Sequence, residues 1–406
     1  MSKMKIILAS GVAPALLTPA YANDFNSLIP DLYMGIDVVS RELAGFVTSA
    51  TRAPGVERAA VGQAVSYPIA PEQTAFDIVP AMQIPEPPDN TFDVGQMAIT
   101  KARAVPFGIT GEEYRGLTSG GPGMPSVQAQ WVAQAIRTLV NEMEADGAAE
   151  ASANASRAYG TGGTAPFGSG DLTDMAQIQK ILDDNGAPPT GRSMILNTSA
   201  AARMQALNNL TRVNEAGNMM TLRQGELLDI YGMSIKKTGQ PVSHVKGTAA
   251  SATTNAAGYA VGATVITLAS AGTGTIKAGD TITFAGDTNK YVVVAGDTDV
   301  SNGGTITISA PGLRVAIPAA ATAITVGDSY QASVAFTQDA LHVAMRPPAL
   351  PPGGDAADDR IIITDPRSGI PFEFAVYRGY KKVRWEVGMA WGWKATKREH
   401  IALLLG

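Results

Sequence analysis

Four short runs of β-forming residues decide the fold: TVITLAS at 264–270, DTITFAG at 280–286, NKYVVVAG at 289–296 and TITISAPG at 305–312. Gly-Asp, Gly-Thr and Asn-Gly-Gly turns separate these runs, and residues 247–329 hold 15 threonines but only 8 charged residues. Such runs between such turns are typical of a small all-β unit. A helical pattern precedes the block and a β-rich pattern follows it, which predicts a compact β-domain inserted into a larger α+β domain.

Two amphipathic helices are predicted in the first 160 residues. The first runs from Asp31 to Ser49, with apolar residues at steps of three and four. The second runs from Ser126 to about Ala158, directly after Pro125, and repeats this pattern over its first half. At ~1.5 Å per residue it spans roughly 50 Å, so we predict that it acts as a spine.

Between the helices, Val61 to Thr110 is predicted to be an extended strand pair. Alternating residues such as Val65, Tyr67 and Ile69 lead to a proline-rich tip, and a second strand leads back. An isolated strand pair is marginally stable in water. It therefore needs another chain, or another part of this one, to lie on.

The remaining elements predict a mixed sheet covered by helices. They are a glycine-rich linker at 159–170, a helix at 171–185, a buried strand at 194–196, a helix capped by Thr198 or Ser199 and ending at Leu207, and strands at 361–364, 372–377 and 401–405. A long alternating strand from Val383 carries Trp385, Trp391 and Trp393 on one face, which favours a core position over a stacking site.

Composition limits the classes of function. With 406 residues, two or three domains are expected. The charged fraction of 17% is below the usual quarter, which fits either a Gly/Ala/Thr-rich β-protein or a surface covered by copies of itself. The net charge of −5 argues against tight nucleic-acid binding through a basic face, and the absence of cysteine excludes disulfides and thiol chemistry.

No motif predicts a catalytic, cofactor or metal site. His244, His342 and His400 lie far apart without metal-ligand spacing, and no P-loop or nucleophile elbow occurs. The segment 297–303 lacks the glycine and the final glutamate of a calcium loop, so we interpret it as a β-turn. Adjacent acids, as at Asp183-Asp184, point in different directions and are interpreted as solvated charge.

The N-terminus allows two interpretations. Residues 1–22 have two lysines, an apolar run and an Ala20-Tyr21-Ala22 site, as in a cleaved secretory signal. Pro14 and Pro19 interrupt the run, which favours an apolar arm instead. No later apolar run approaches the ~20 residues of a membrane-spanning helix.

The order of these elements resembles the major capsid protein of tailed phages, with the HK-ninety-seven-like fold. It looks most like the branch typified by the phage P-twenty-two coat protein, whose subunit carries an inserted β-barrel, the I-domain. The stretches that carry this resemblance are VVSREL at 38–43, RSMILN at 192–197, LRQGEL at 222–227, GDTITFAG at 279–286 and WGWKAT at 391–396.

The resemblance implies a division of the chain into parts. They are an N-terminal arm at 1–30, an N-terminal helix at 31–55, an extended two-stranded loop at 56–108, a peripheral domain with the spine helix at 109–164, an axial domain at 165–241, the inserted β-barrel at 242–330, the axial return at 331–358 and closing peripheral and axial strands at 359–406. Glycine-rich runs at 119–123 and 159–163 flank the spine and are predicted hinges.

The same resemblance implies a structural protein and no enzyme. Its partners would be its own copies in hexameric and pentameric capsomers, a scaffolding protein, a portal, a decoration protein, and packaged double-stranded DNA held without specific contacts. It would be located in the virion capsid, assembled in the host cytoplasm without a membrane. No lysine lies between Lys5 and Lys101, so the loop lacks the nucleophile with which some family members form Lys–Asn cross-links. The alternative is an exported β-rich surface or adhesion protein with a cleaved signal.

Overall fold

The computed structural model describes residues 44–53, 55, 57–69, 80, 93–118, 124–211, 229–365 and 369–406. The predicted mixture of helices and strands is confirmed, with strands predominating. The helices are α1 (Gly111–Thr118), α2 (Met124–Ala153), α3 (Thr173–Asp184), α4 (Thr198–Gln205) and α5 (Asn208–Thr211).

Strands precede, separate and follow these helices, and from Met233 onward the described regular elements are strands and three short 3₁₀ helices. The strands are β1 (Thr51–Arg52), β2 (Ala64–Ile69), β3 (Asp93–Ala98), β4 (Lys101–Thr110), β5 (Arg157–Gly160), β6 (Arg192–Leu196), β7 (Met233–Lys237), β8 (Ser243–His244), β9 (Val265–Leu268), β10 (Thr281–Phe284), β11 (Lys290–Ala295), β12 (Gly304–Ile308), β13 (Ile324–Val326), β14 (Tyr330–Thr337), β15 (Leu341–Arg346), β16 (Asp359–Thr364), β17 (Pro371–Gly379), β18 (Lys382–Ala395) and β19 (Ile401–Leu405).

The first body sheet is organised by the long strand β18. One edge of β18 pairs with β4 over ten residues, and its other edge pairs first with β17 and then with β15. The face with Trp385, Trp391 and Trp393 is buried under α2, as predicted for a core. The indole N–H of Trp393 donates to the carbonyl of Met143 at 2.9 Å, which joins strand and helix.

The spine helix α2 is confirmed but ends earlier than predicted. It has 30 residues, or about 45 Å, and stops at Ala153 instead of Ala158. Residues 157–160, expected partly in the helix and partly in a glycine-rich linker, form β5 and pair in parallel with β19. The N–H and hydroxyl of Ser156 both donate to the carbonyl of Ile401, so sheet pairing replaces helix propagation at this point.

A second body sheet has the order β13-β10-β11-β5-β19-β14-β6-β7. α3 and α4 cover the part around β6 and β19, with a core of apolar side chains such as Ile178, Met204 and Leu404. The helix predicted at 171–185 is confirmed as α3. The next helix is capped by Asn197, one residue before the predicted Thr198: its side chain accepts from the N–H of Ala200 at 2.7 Å.

The predicted β-block has its own core, drawn entirely from residues 252–324. Hydrogen bonds run from β13 through β10, β11 and β12 to β9. Residues 252–255 bond to β9 on one side and to residues 322–324 on the other, which closes the circuit. The block is also joined to the body, because Tyr291 and Lys290 of β11 pair with Arg157 and Ala158 of β5.

β2 and β3 form a two-stranded sheet of their own. The extended loop was predicted to reach residue 108, but residues 101–110 are β4 and belong to the first body sheet. Without β4, the backbone N–H and C=O groups along this edge of β18 would lack their hydrogen-bond partners, which explains why residues 101–110 join the body sheet. The arm 1–30 and the hinge at 119–123 lie outside the described residues. Most of the helix at 31–55 also does, and its described end at 44–50 forms turns.

Candidate assembly surfaces

The described residues do not bring the candidate chemical groups of the sequence together. Within these ranges, no three His, Asp or Glu side chains lie close enough to hold a metal ion. His244 contacts Asp280, whereas the ring of His342 lies 5.0 Å from that of Tyr67 in another sheet. No helix of the described ranges is long and apolar enough to cross a membrane. In the described part of the chain, the candidate functional features are therefore surfaces and buried ionic groups.

The β2–β3 pair packs on the first body sheet by one face. Tyr67, Met97 and Ile99 are buried against Ala344 and Ala390, on the side of the sheet opposite to α2. This approach is close because the sheet carries small residues here: a Cβ on Gly392 would lie 2.1 Å from the carbonyl oxygen of Ala98. The other face of the pair is open, with Val94 60% exposed.

A buried carboxylate ties the turn at 44–50 to the spine. Glu144 of α2 is 1% exposed and accepts hydrogen bonds from three successive backbone N–H groups, those of Gly45, Phe46 and Val47, at 2.6, 2.8 and 3.2 Å. Burial raises the pKa of Glu144, and these hydrogen bonds lower it in part. The contact holds Phe46 in the core, where its ring stacks on Phe336.

The sequence contains a signal for this role in the spacing of the spine helix. Ile136, Val140, Glu144 and Ala148 follow at steps of four, so Glu144 lies on the buried stripe of the spine. An acid on an apolar helical stripe has to find donors, and the donors here come from a segment about 98 residues away in sequence.

Arg157 joins three parts of the structure. Its guanidinium, with 4% of the side chain exposed, donates to Asn289 of the β-block at 2.9 Å and to Asp184 and Asn185 at the end of α3 at 3.2 Å. The neighbouring acid Asp183 pairs with the equally buried Arg192 at 2.7 Å. Asp183 and Asp184, interpreted as solvated charge, are 54% and 31% exposed, and each is also the counter-ion of a buried arginine.

A second attachment of the β-block is built around Asp280. Its fully buried carboxylate accepts from His244 at 2.7 Å and from the backbone N–H groups of Gly247 and Lys277. Tyr330 donates to the carbonyl of Gly279 at 2.7 Å, and burial raises the pKa of Tyr330. The two chain crossings between block and body are thus held by ordered polar groups.

The predicted hinge at 159–163 passes close to the backbone at Leu405 and at Asp328. A Cβ on Gly160, whose φ is +96°, would lie 2.8 Å from the carbonyl oxygen of Leu405. A Cβ on Gly162 would lie 2.6 Å from that of Asp328. These glycines allow close backbone approach. The segment at 297–303, interpreted as a β-turn, contains a short 3₁₀ helix (Val300–Asn302) whose N-cap is Asp299.

The hairpin between β17 and β18 carries an exposed basic tip. Tyr380 is 87% exposed, and the neighbouring cations are Arg378, Lys381, Lys382 and Arg384. Arg378 and Arg384 pair with acids at 3.0 and 2.7 Å, whereas the lysines form no ion pair with the described residues. Beside the tip, a groove of about 360 Å³ is lined by Phe107, Ile109, Glu113, Lys382, Val383 and Arg384, among others.

No family model matches the sequence, and no curated protein matches it. Among solved structures, the capsid of the cyanophage P-SCSP1u is similar at 12% identity and a TM-score of 0.47, over 90% of this chain and 88% of that chain. The capsid of a native GTA particle is similar at 11% identity and a TM-score of 0.44, over 90% of each chain. A virus-like particle from Pyrococcus furiosus is similar at 12% identity and a TM-score of 0.41, over 93% and 98%. Because each TM-score is below 0.5, the function has to be inferred from the chain's own residues.

Proposed function

We propose that the chain is the major capsid (coat) protein of a tailed double-stranded DNA bacteriophage, whose copies form the hexamers and pentamers of an icosahedral shell. The observation that carries this proposal is the β2–β3 pair. It joins neither body sheet, packs on the body by one face, and leaves Val94 on its other face 60% exposed. In the proposed shell, a neighbouring copy covers the face of this pair that the chain itself leaves open.

The parts of the chain then take the roles that the resemblance implies. The spine α2 and the sheet around β18 serve as the peripheral domain, and the sheet with α3 and α4 serves as the axial domain at the capsomer centre. The block at 242–330 serves as an inserted β-barrel that sets contacts between capsomers. Its separate core and its closed circuit of hydrogen bonds support the barrel form, and the role in capsomer contacts is what the resemblance implies.

The protein's work is structural and needs no catalytic residue. Its proposed partners are its own copies, a scaffolding protein, a portal, a decoration protein and the packaged DNA, in a virion assembled in the host cytoplasm. A net charge of −5 is compatible with a shell that encloses DNA without binding it tightly.

Electron microscopy of the purified protein, with intact-mass measurement, tests the proposal. The capsid function predicts closed particles tens of nanometres across, built from chains that begin at Met1 or Ser2. Monomers or fibres of chains that begin at Asn23 would instead identify the exported surface protein.

A further inference from the structure

The two body sheets are connected by two chain crossings that lie side by side. The first crossing, residues 338–340, leads from β14 to β15, and the second, residues 396–400, leads from β18 to β19. The backbone N–H of Thr396 donates to the carbonyl of Ala340 at 2.9 Å, and its hydroxyl donates to that of Asp339 at 2.7 Å. The position of one sheet against the other therefore depends in part on this pair of crossings, which we call the junction.

Two of the three histidines of the chain lie at the junction. His342 is the second residue of β15, directly after the first crossing, and its ring lies 5.0 Å from that of Tyr67. Tyr67 is the β2 residue that helps to pack the β2–β3 pair on the first body sheet. His400 is the last residue of the second crossing. A change of charge on these rings therefore acts where the two sheets and the strand pair meet.

The surroundings of His342 disfavour a charged ring. Burial lowers the pKa of His342, and Lys397 lowers it further, whereas Asp339 raises it by its charge and by a backbone hydrogen bond. The direct neighbours in the sheet are Lys394 of β18 on one side and the neutral Thr51 of β1 on the other. A protonated ring here would lose water and would meet two lysines and only one acid.

His400 has the same preference for the neutral form. Burial lowers the pKa of His400. Glu399 and Asp339 favour the protonated ring, whereas Lys397 and Arg192 oppose it. Its Nδ1 is buried and has no hydrogen-bond partner among the described residues, so a proton added there would have no acceptor. Lys397 and Asp339 thus act on both histidines, which makes the junction one electrostatic unit.

The direction of the pH dependence follows from these shifts. A histidine in the unfolded chain has a pKa of about 6.5. A histidine whose folded pKa lies below that value contributes stability that is fully present above about pH 6.5 and is lost as pH falls through the folded pKa. Acid therefore weakens the junction, and neutral pH stabilises it.

We infer that the junction is an acid-sensitive latch, in which protonation of His342 and His400 releases the two crossings from each other and β2 from the first body sheet. The new charges lie beside Lys394 and Lys397 in a half-buried space, where repulsion is stronger than in water. The latch concerns contacts within one chain, so it holds whether or not copies of the chain form shells.

Amide hydrogen exchange of the full-length protein tests the latch. Rates are compared at about pH 7.5 and about pH 5, on either side of the unfolded histidine pKa, after correction for intrinsic exchange. Peptides that cover 64–69 and 396–401 should open about threefold more often, or more, at the lower pH, because local opening follows the lost stability. A peptide that covers β12 of the β-block should not change. Equal opening of the junction peptides at both pH values overturns the inference.

Histidine variants separate this effect from other acid effects. The double variant His342→Gln, His400→Gln has neutral side chains at both positions and should lose the difference between the two pH values. His244→Gln changes the third histidine, which lies between β-block and body, and should keep the difference. A double variant that still opens in acid as the wild type does overturns the inference.

Exchange of the imidazole C2 hydrogen, measured by mass spectrometry over a pH series, reports on each histidine without any variant. His342 and His400 should titrate below the unfolded pKa of about 6.5. Lys397→Gln should raise the pKa of both, whereas Lys180→Gln, at an exposed position of α3, should change neither. A folded pKa at or above the unfolded value for either junction histidine overturns the latch, even if the double variant fails to fold.

Discussion

Replacing Glu144 by alanine should release the turn at 44–50 from the spine helix. In the native chain, the carboxylate satisfies three backbone N–H groups that have no other acceptor in the turn. Alanine removes all three bonds and leaves the donors beside a buried apolar stripe. Glutamine keeps the oxygen that accepts from Gly45 and Phe46, and loses the bond to the N–H of Val47.

The size of the effect follows from the cost of unsatisfied donors. Each buried N–H without an acceptor costs about 1–3 kcal/mol. Alanine also removes a carboxylate whose burial is unfavourable, as its raised pKa indicates, and the turn can open to water. With three donors at about 1–3 kcal/mol each, offset by these two effects, we expect a net loss of about 3–5 kcal/mol for Glu144→Ala. Glu144→Gln should cost about 1–2 kcal/mol, for one lost hydrogen bond.

Amide hydrogen exchange of peptides that cover 44–50 measures this release locally. A loss of 3 kcal/mol or more corresponds to about a hundredfold loss of protection or more. Glu142→Ala is the control: it lies on the same helix, but its pair with Arg103 is on the surface, with side chains 36% and 58% exposed. We expect that control to cost less than about 0.5 kcal/mol. Equal exchange at 44–50 in both variants would refute the anchoring role of Glu144.

Three further predictions concern pH, the β-block and the shell. Because burial raises the pKa of Glu144 above the unfolded value of about 4.3, the stability that this group contributes is fully present below that value and is lost as pH rises. Melting curves near pH 4 and pH 7 should therefore show that the wild type is more stable relative to Glu144→Gln at the lower pH than at the higher one. Arg157→Met leaves Asn289 and Asp184 without their donor and should cost about 2–4 kcal/mol; faster proteolysis at 285–290 than in the exposed-site control Arg314→Met checks this, and equal rates would contradict it. Particles boiled in detergent should run as monomers, since the loop has no lysine for cross-links, and a ladder would contradict the noncovalent shell.

Much of the local structure could be predicted because periodicity and turn residues act over short distances. The strand at 401–405, the core position of Trp385, Trp391 and Trp393, and the separate apolar centre of the β-block all followed from such patterns. Errors occurred where a distant partner overrides local preference. The small residues after Ala153 favour continued helix, but pairing with β19 takes 157–160 into a sheet.

The sequence alone determined the order of elements, the absence of lysine from the loop, the absence of thiol chemistry and the presence of a β-block with its own core. These properties depend on composition and on spacings of two to four residues, which are present in the sequence before any tertiary contact forms. Only the tertiary structure decided that Glu144 anchors residues 45–47, that Arg157 joins the β-block to α3, and that β4 belongs to the body sheet. Those contacts join residues distant in sequence, and the donors and acceptors that satisfy a buried charge can be identified only when packing has brought them together.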